Sequence, residues 1–334
     1  MTAGMPSFPA YADQLGQALA YMREGEHFLI VSHVQPDGDA ISSTLVTAWL
    51  LAKLGKTFVM MNESSVPLRL GYLKGSSHIQ SMNEVAAEVR FDRVIAVDCA
   101  DYKRIGLVSE RFAPGCGLLN IDHHPTNDHF GTVNLIRSDA AATVEILYDL
   151  IEFAGIPLDV EAGTAVYTGL LTDTGGFRYS STSPRVMQIA SAILTLGVSG
   201  HLLAEHLLEK MTKAQLLLLQ RGLANLTFST DNRIAWITVG HADLEATGAT
   251  SEDLEGLVNY ARNVEGVDVG MLFKEAADGC VKVSLRSSGA ANVSAIAQSF
   301  GGGGHVRAAG CRLDLPMQEA VNQVIQAVSE ALQG

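Results

Sequence analysis

The stretch Ser32-His33-Val34-Gln35-Pro36-Asp37-Gly38-Asp39-Ala40 constrains this chain more than any other. The apolar run Phe28-Leu29-Ile30-Val31 leads into it, and a helical pattern over residues 40–54 follows and stops at Gly55. The order is strand, tight polar turn, helix. In open α/β sheets that turn lies at the carboxyl end of a strand, where ligands bind. One imidazole and two carboxylates fall within seven residues, His33 to Asp39. A bare trio of this kind repels itself, and a shared cation is its natural use. Either aspartate alone reads as the N-cap of the helix beginning at Ala40. All three together read as a metal site, with Gly38 letting the backbone bend between them.

Three more clusters follow apolar segments. Val94-Ile95-Ala96-Val97 runs into Asp98-Cys99-Ala100-Asp101, and Leu118-Leu119-Asn120-Ile121 into Asp122-His123-His124-Pro125. A helix over residues 160–171 ends at Thr172-Asp173-Thr174-Gly175-Gly176-Phe177. Asp98 at a buried strand end reads as a bridging carboxylate, with Asp101 and Arg104 as local support through capping or an ion pair. Adjacent histidines on a strand end point to opposite sides, so one of His123 and His124 is expected to enter the site. The other is expected to contact substrate or to act from behind, with Asp122 accepting a free imidazole N–H. The set is two imidazoles, His33 and His123, and four carboxylates, Asp37, Asp39, Asp98 and Asp173. With no thiolate it suits hard to borderline ions; imidazole favours Mn²⁺ over Mg²⁺, and Zn²⁺ is compatible on affinity grounds.

Composition sets the outer limits. A chain of 334 residues suggests two domains. Hydrophobic residues make up 47% and charged ones 18%, which is the balance of a folded globular protein. The net charge of −13 disfavours a long nucleic-acid footprint and leaves room for a short nucleotide substrate. No apolar stretch has the ~20 residues of a membrane span. Met1-Thr2-Ala3-Gly4-Met5-Pro6 shows no secretory signal. Four cysteines without CxxC spacing, Cys99, Cys116, Cys280 and Cys311, read as free thiols in a reducing, cytoplasmic setting.

The fold class read from the alternation is α/β: a mostly parallel N-terminal sheet with helices on both faces, then a smaller C-terminal α+β domain. Helices are expected over residues 10–25, 140–153, 160–171 and 184–196, and one Leu-rich helix over 201–224. Strands are expected over 28–32, 56–61, 94–97, 118–121 and 132–136. The remainder predicts a strand over 233–239, a hairpin of 269–274 with 281–286 across Ala277-Asp278-Gly279, and helices over 293–299 and 317–332. The boundaries are a catalytic domain 1–188, a helical linker 189–225 and a second domain 226–334. The run Gly301-Gly302-Gly303-Gly304-His305 offers a nest of backbone N–H groups that suits a phosphate.

On these motifs the chain resembles the DHH phosphoesterase superfamily and, within it, the NrnA-like oligoribonuclease and phosphoadenosine-phosphatase group. The matching segments are His33-Val34-Gln35-Pro36-Asp37-Gly38-Asp39, Asp98-Cys99-Ala100-Asp101, Asp122-His123-His124 and Thr172-Asp173-Thr174-Gly175, in that order; Gln35 fills a slot the family varies. The resemblance implies a dinuclear manganese centre, with Mg²⁺ as the alternative. His33, Asp37 and Asp98 would hold one ion, and Asp39, Asp98, His123 and Asp173 the other. His124 would face the substrate phosphate, making Asp98, His123 and His124 the catalytic set. The C-terminal part looks like the family's DHH-associated domain. There Arg286 of Ser284-Leu285-Arg286-Ser287, Gly302, Gly303, Gly304 and His305 would bind the substrate, with Arg262 as a further basic contact.

The activity implied is hydrolysis of very short RNA oligonucleotides to mononucleotides and dephosphorylation of 3′-phosphoadenosine 5′-phosphate, in a cleft between the domains. The partners implied are short RNA and small nucleotides, no long duplex, no membrane, and a second copy in a homodimer. Alternatives are a phosphodiesterase for cyclic di-AMP or its linear product, a manganese pyrophosphatase, and a non-catalytic nucleotide sensor on the same fold. The glycine motif and Arg286 disfavour the pyrophosphatase, and six intact ligand positions disfavour the sensor. A RecJ-type exonuclease fits poorly with an acidic chain of this length.

Overall fold

Val, Ile and Leu runs bounded by turn residues pair as strands when both of their faces are dry. The computed structural model describes residues 9–84, 88–250, 252–254, 256–276 and 278–333, so the expectations at residues 1–6 and at Ala277 lie outside the described residues. His27–Val31 (β1), Thr57–Asn62 (β2), Ile79–Ser81 (β3), Phe91–Val97 (β4), Phe112–Asp122 (β5) and Val133–Ile136 (β6) form one sheet. Its order is β3-β2-β1-β4-β5-β6, and every neighbouring pair is parallel.

In β1, Phe28 and Ile30 join the larger core while Leu29 and Val31 join the smaller one on the other face. The larger core is covered by Pro9–Glu24 (α1), Gly38–Lys53 (α2), Thr143–Ala154 (α3), Val160–Asp173 (α4) and Pro184–Thr195 (α5). The smaller core takes Ile105 and Val108 from the 3₁₀ segment Tyr102–Arg111. Strand order reverses between β1 and β4, the place where a crevice opens beyond the carboxyl ends.

The helix expected over residues 201–224 is broken. Gly200–Ala204 (α6) passes into a π-helical turn, Glu205–Glu209, and Lys210 is extended at φ −70° and ψ 131°. Lys213–Ala224 (α7) then starts afresh, because the Thr212 hydroxyl accepts from Gln215 N–H as an N-cap. The chain divides here into two compact units, Met1–Lys210 and Met211–Gly334. The division falls inside the expected linker: α5 packs into the first core through Ile189 and Ile193, and α7 into the second unit through Leu218.

The second unit is α+β. Thr227–Phe228 (β7), Ile234–Val239 (β8), Val269–Glu275 (β9), Val281–Ser287 (β10), Gly303–His305 (β11) and Ala308–Leu313 (β12) form a sheet ordered β11-β12-β10-β9-β8-β7. Within this second sheet, among the described residues, only β8 and β9 pair in parallel. The helices are His241–Thr247 (α8), Leu257–Arg262 (α9), Val293–Ser299 (α10) and Met317–Gln333 (α11). One face carries α10 and α11, and the other α7 and α9. No single helix among the described residues is long and apolar enough to cross a membrane. All four cysteines are free.

Candidate metal centre

Asp98 directly follows β4, beside the turn that follows β1. Its φ of 58° is left-handed, a conformation aspartate tolerates better than most residues. Its N–H donates to Ile121 O at 3.0 Å, which holds the turn against β5. The two carboxylate oxygens face different partners. Oδ2 lies 3.4 Å from His33 Nε2, and Oδ1 lies 3.6 Å from His123 Nε2. His33 Nε2 is in turn 3.9 Å from Asp37 Oδ2, and His123 Nε2 is 3.4 Å from Asp173 Oδ2. His33, Asp37 and Asp98 form one group of possible ligands, and Asp39, His123 and Asp173 another, each with its donor atoms within 4.8 Å of one another. All six expected ligand residues therefore converge, and Asp98 adjoins both groups.

Outer hydrogen bonds orient the imidazoles. His33 Nδ1 donates to Val34 O at 2.8 Å and His123 Nδ1 to Ala140 O at 3.2 Å, so each presents a lone pair on Nε2. Asp37 is the N-cap of α2 and also lies beside His33. Its Oδ1 accepts from Asp39 N–H and Ala40 N–H as the cap of α2, while Oδ2 faces His33. Asp39 is fully buried; its Oδ2 accepts from Thr143 N–H at 2.6 Å and its Oδ1 from Val144 N–H at 3.1 Å.

The charge balance fits a cation. Burial, then the charges of Asp98 and Asp37, push the Asp39 carboxyl well above the usual range. Burial, then Asp39, Asp37 and Asp98, do the same to Asp173. Burial also opposes ionisation of Asp98, but its hydrogen bond to His33 and the neighbouring imidazoles hold that carboxyl low. Burial holds the His123 imidazole below its ordinary pKa, in the neutral form a metal requires. Burial opposes protonation of His33 as well, but the Asp98 hydrogen bond and the charges of Asp37 and Asp98 outweigh it and raise its pKa. Buried carboxylates in mutual repulsion beside imidazoles are a donor set that divalent cations satisfy.

Three details differ from expectation. His123 and His124 do not diverge; their ring centroids are 4.8 Å apart, and His124 Nδ1 lies 3.7 Å from the same Asp98 Oδ1. β5 ends at Asp122, so both histidines lie in the turn, where strand alternation no longer applies. Gly38 needs no special φ; instead a Cβ there would lie 2.4 Å from Thr172 Cγ2, so it is glycine because α4 ends against the start of α2. Asp101 caps Tyr102–Arg111, whereas Arg104 reaches into the site and donates from Nη1 to His124 Nε2 at 3.4 Å. Asp122 accepts the His124 Nδ1–H at 2.7 Å, as foreseen. Burial depresses the His124 pKa, and the Asp122 bond with the Asp98 charge outweighs it, so the pKa is raised.

Sequence reading missed Thr143, whose hydroxyl donates to Asp98 Oδ1 at 3.0 Å, and Asn127, whose amide donates to Asp122 Oδ2 at 2.6 Å. Neither carries a charge or lies in a motif that could have flagged it.

In the second unit, the expected basic residues share one row of the sheet. Gly270, Arg286, Ala308 and His305 are successive register partners across β9, β10, β12 and β11. A Cβ on Gly270 would meet the Arg262 backbone at 2.3 Å, so Arg262 lies over the same row. Arg262 Nε is buried without a hydrogen-bond partner among the described residues. The glycine run is shaped by pairing as much as by any ligand. A Cβ on Gly302 would lie 2.1 Å from Gly310 O, and one on Gly304, at φ 139°, 2.6 Å from Ala308 O. Gly303 faces open space.

The acidic and imidazole set lies at the switch point of a doubly covered parallel sheet, where open α/β folds bind ligands. The chain belongs to the DHH family, whose N-terminal domain matches residues 27–170 and whose DHHA1 domain matches residues 237–334, and it is a hydrolytic enzyme. It is 34% identical over 306 residues to the bifunctional oligoribonuclease and PAP phosphatase NrnA of Thermus thermophilus, covering 91% of this chain and 89% of that one. To the Bacillus subtilis protein of the same name it is 28% identical over 285 residues, covering 84% and 87%. A solved exopolyphosphatase-related protein from Bacteroides fragilis is similar with a TM-score of 0.87 at 27% identity, over 95% of this chain and 96% of that one.

Proposed function

We propose that this chain is a Mn²⁺-dependent phosphoesterase that hydrolyses very short RNA oligonucleotides to mononucleotides and removes a phosphate from 3′-phosphoadenosine 5′-phosphate. The observation that carries the reading is the division of Asp98 between the two ligand groups. The names of the Thermus and Bacillus relatives support the same substrates.

His33, Asp37 and Asp98 would hold one ion, and Asp39, Asp98, His123 and Asp173 the second. Two such ions supply Lewis-acid charge for the phosphoryl oxygens and activate water at neutral pH. The chain's own groups do the rest. Asp122 keeps the Nδ1 proton of His124 in place, so the Nε2 edge and the Arg104 guanidinium lie together. An anionic phosphate is the partner that suits the guanidinium, and His124 Nε2, accepting from Arg104, helps to hold that guanidinium in place. Arg262, Arg286, Gly302, Gly303, Gly304 and His305 bind the substrate's terminal phosphate or nucleotide in this reading. The row shared by Arg286 and His305, with Arg262 over it, and the unpartnered Arg262 Nε support it.

The test is incubation of the purified full chain and Mn²⁺ with an RNA dinucleotide and, separately, with 3′-phosphoadenosine 5′-phosphate. Mononucleotides and AMP are the expected products. Absence of product from both substrates, with Mn²⁺ and with Mg²⁺, rejects the proposal.

A further inference from the structure

We infer that Thr143 is the positioning residue of the metal centre, holding Asp98 through its hydroxyl and Asp39 through its backbone N–H. The inference rests on the metal-site reading above. Thr143 is fully buried at the first residue of α3. Its Oγ1 donates at 3.0 Å to Asp98 Oδ1, the oxygen that faces His123. Its N–H and that of Val144 donate to the two oxygens of Asp39, at 2.6 and 3.1 Å. Asp98 is 45 positions away and Asp39 104, so one residue ties together two parts of the site that the chain does not connect.

Helix α3 has no cap of its own. Ala142 stands at the N-cap without a side-chain bond, leaving N–H groups unpaired, and Asp39 takes that place from another helix. The helix thereby stabilises a carboxylate that burial and neighbouring charges disfavour. The same turn carries Ala140 O, which accepts from His123 Nδ1. It is latched from behind: Glu145 Oε2 accepts from Ala141 N–H at 2.7 Å, while its Oε1 pairs with Arg137, itself paired to Asp149. Residues 140–144 thus touch His123, Asp98 and Asp39 without supplying a ligand.

The substitution Thr143→Val removes the hydroxyl and keeps the branched shape and the N–H. Titration calorimetry of the full chain should show Mn²⁺ binding weakened by about tenfold to a hundredfold, the range typical for groups that orient metal ligands. Thr143→Ser should restore it. A purely structural role would lower the Tm of the metal-free protein and leave Mn²⁺ affinity unchanged in both variants, which overturns the inference. Should Thr143→Val not fold, Thr143→Ala against Thr143→Ser gives the same comparison. Wild-type protein that binds neither Mn²⁺ nor Mg²⁺ removes the metal-site reading and this inference together. Wild-type binding matched by the Thr143→Val protein removes this inference alone.

Discussion

Asp98 and Asp101 lie three residues apart in one motif and do different work. Asp98 faces two imidazoles with its two oxygens. Asp101 accepts from Lys103 N–H and Arg104 N–H and caps a short helical segment. On the proposed reading Asp98→Ala should therefore lower turnover by orders of magnitude, since the carboxylate that adjoins both groups is gone. Asp101→Ala should cost about 0.5–2 kcal/mol of stability. Its turnover should fall only as far as Arg104 shifts. Steady-state rates and urea unfolding on the two variants check this, and equal losses of turnover would contradict the assignment. The thiols show the same dependence on surroundings. Burial pushes Cys311 up to about 11, leaving little thiolate at pH 8, and Cys99 is fully buried. Cys116 is the one cysteine with appreciable exposure, so it should react first with a thiol reagent on the folded protein, as peptide mapping would reveal.

At the scale of elements, glycines decide how closely the site-bearing helices approach. A Cβ on Gly169 of α4 would lie 2.8 Å from Asp39 Oδ1 and 2.7 Å from Val144 Cγ2. Gly163, two turns earlier, would meet its nearest neighbour, Val198, at an ordinary 3.4 Å. Gly169→Ala should weaken Mn²⁺ binding at least tenfold, by pushing Asp39 away from His123 and Asp173. Gly163→Ala should bind Mn²⁺ like wild type and gain up to about 1 kcal/mol from helix propensity. Calorimetric titration and thermal melts separate the two cases. The strand–turn–helix order around β1 was legible because apolar runs and turn residues mark it locally. The break between α6 and α7 was not: the Leu-rich pattern continues through it, and only the Thr212 cap and the division of the cores mark it in space.

For the whole molecule, the two units have separate cores and one tryptophan each, Trp49 packed on the first and Trp236 on the second. Mn²⁺ at 100 times its Kd should stabilise the first unit by about 2.7 kcal/mol through mass action. The unfolding transition reported by Trp49 in a Trp236→Phe protein should shift upward and return on addition of a chelator. The transition reported by Trp236 in a Trp49→Phe protein should move much less; equal shifts would mean that the units unfold as one. All six ligand candidates were readable from the chain alone, because charged and imidazole groups at the ends of apolar strands are costly unless something binds them. Their division into two groups, the convergence of His123 with His124, the entry of Arg104 and the double hold of Thr143 belong to tertiary structure. Those depend on which strand ends lie side by side and how closely helices from distant segments approach, and no local pattern of residues encodes such distances.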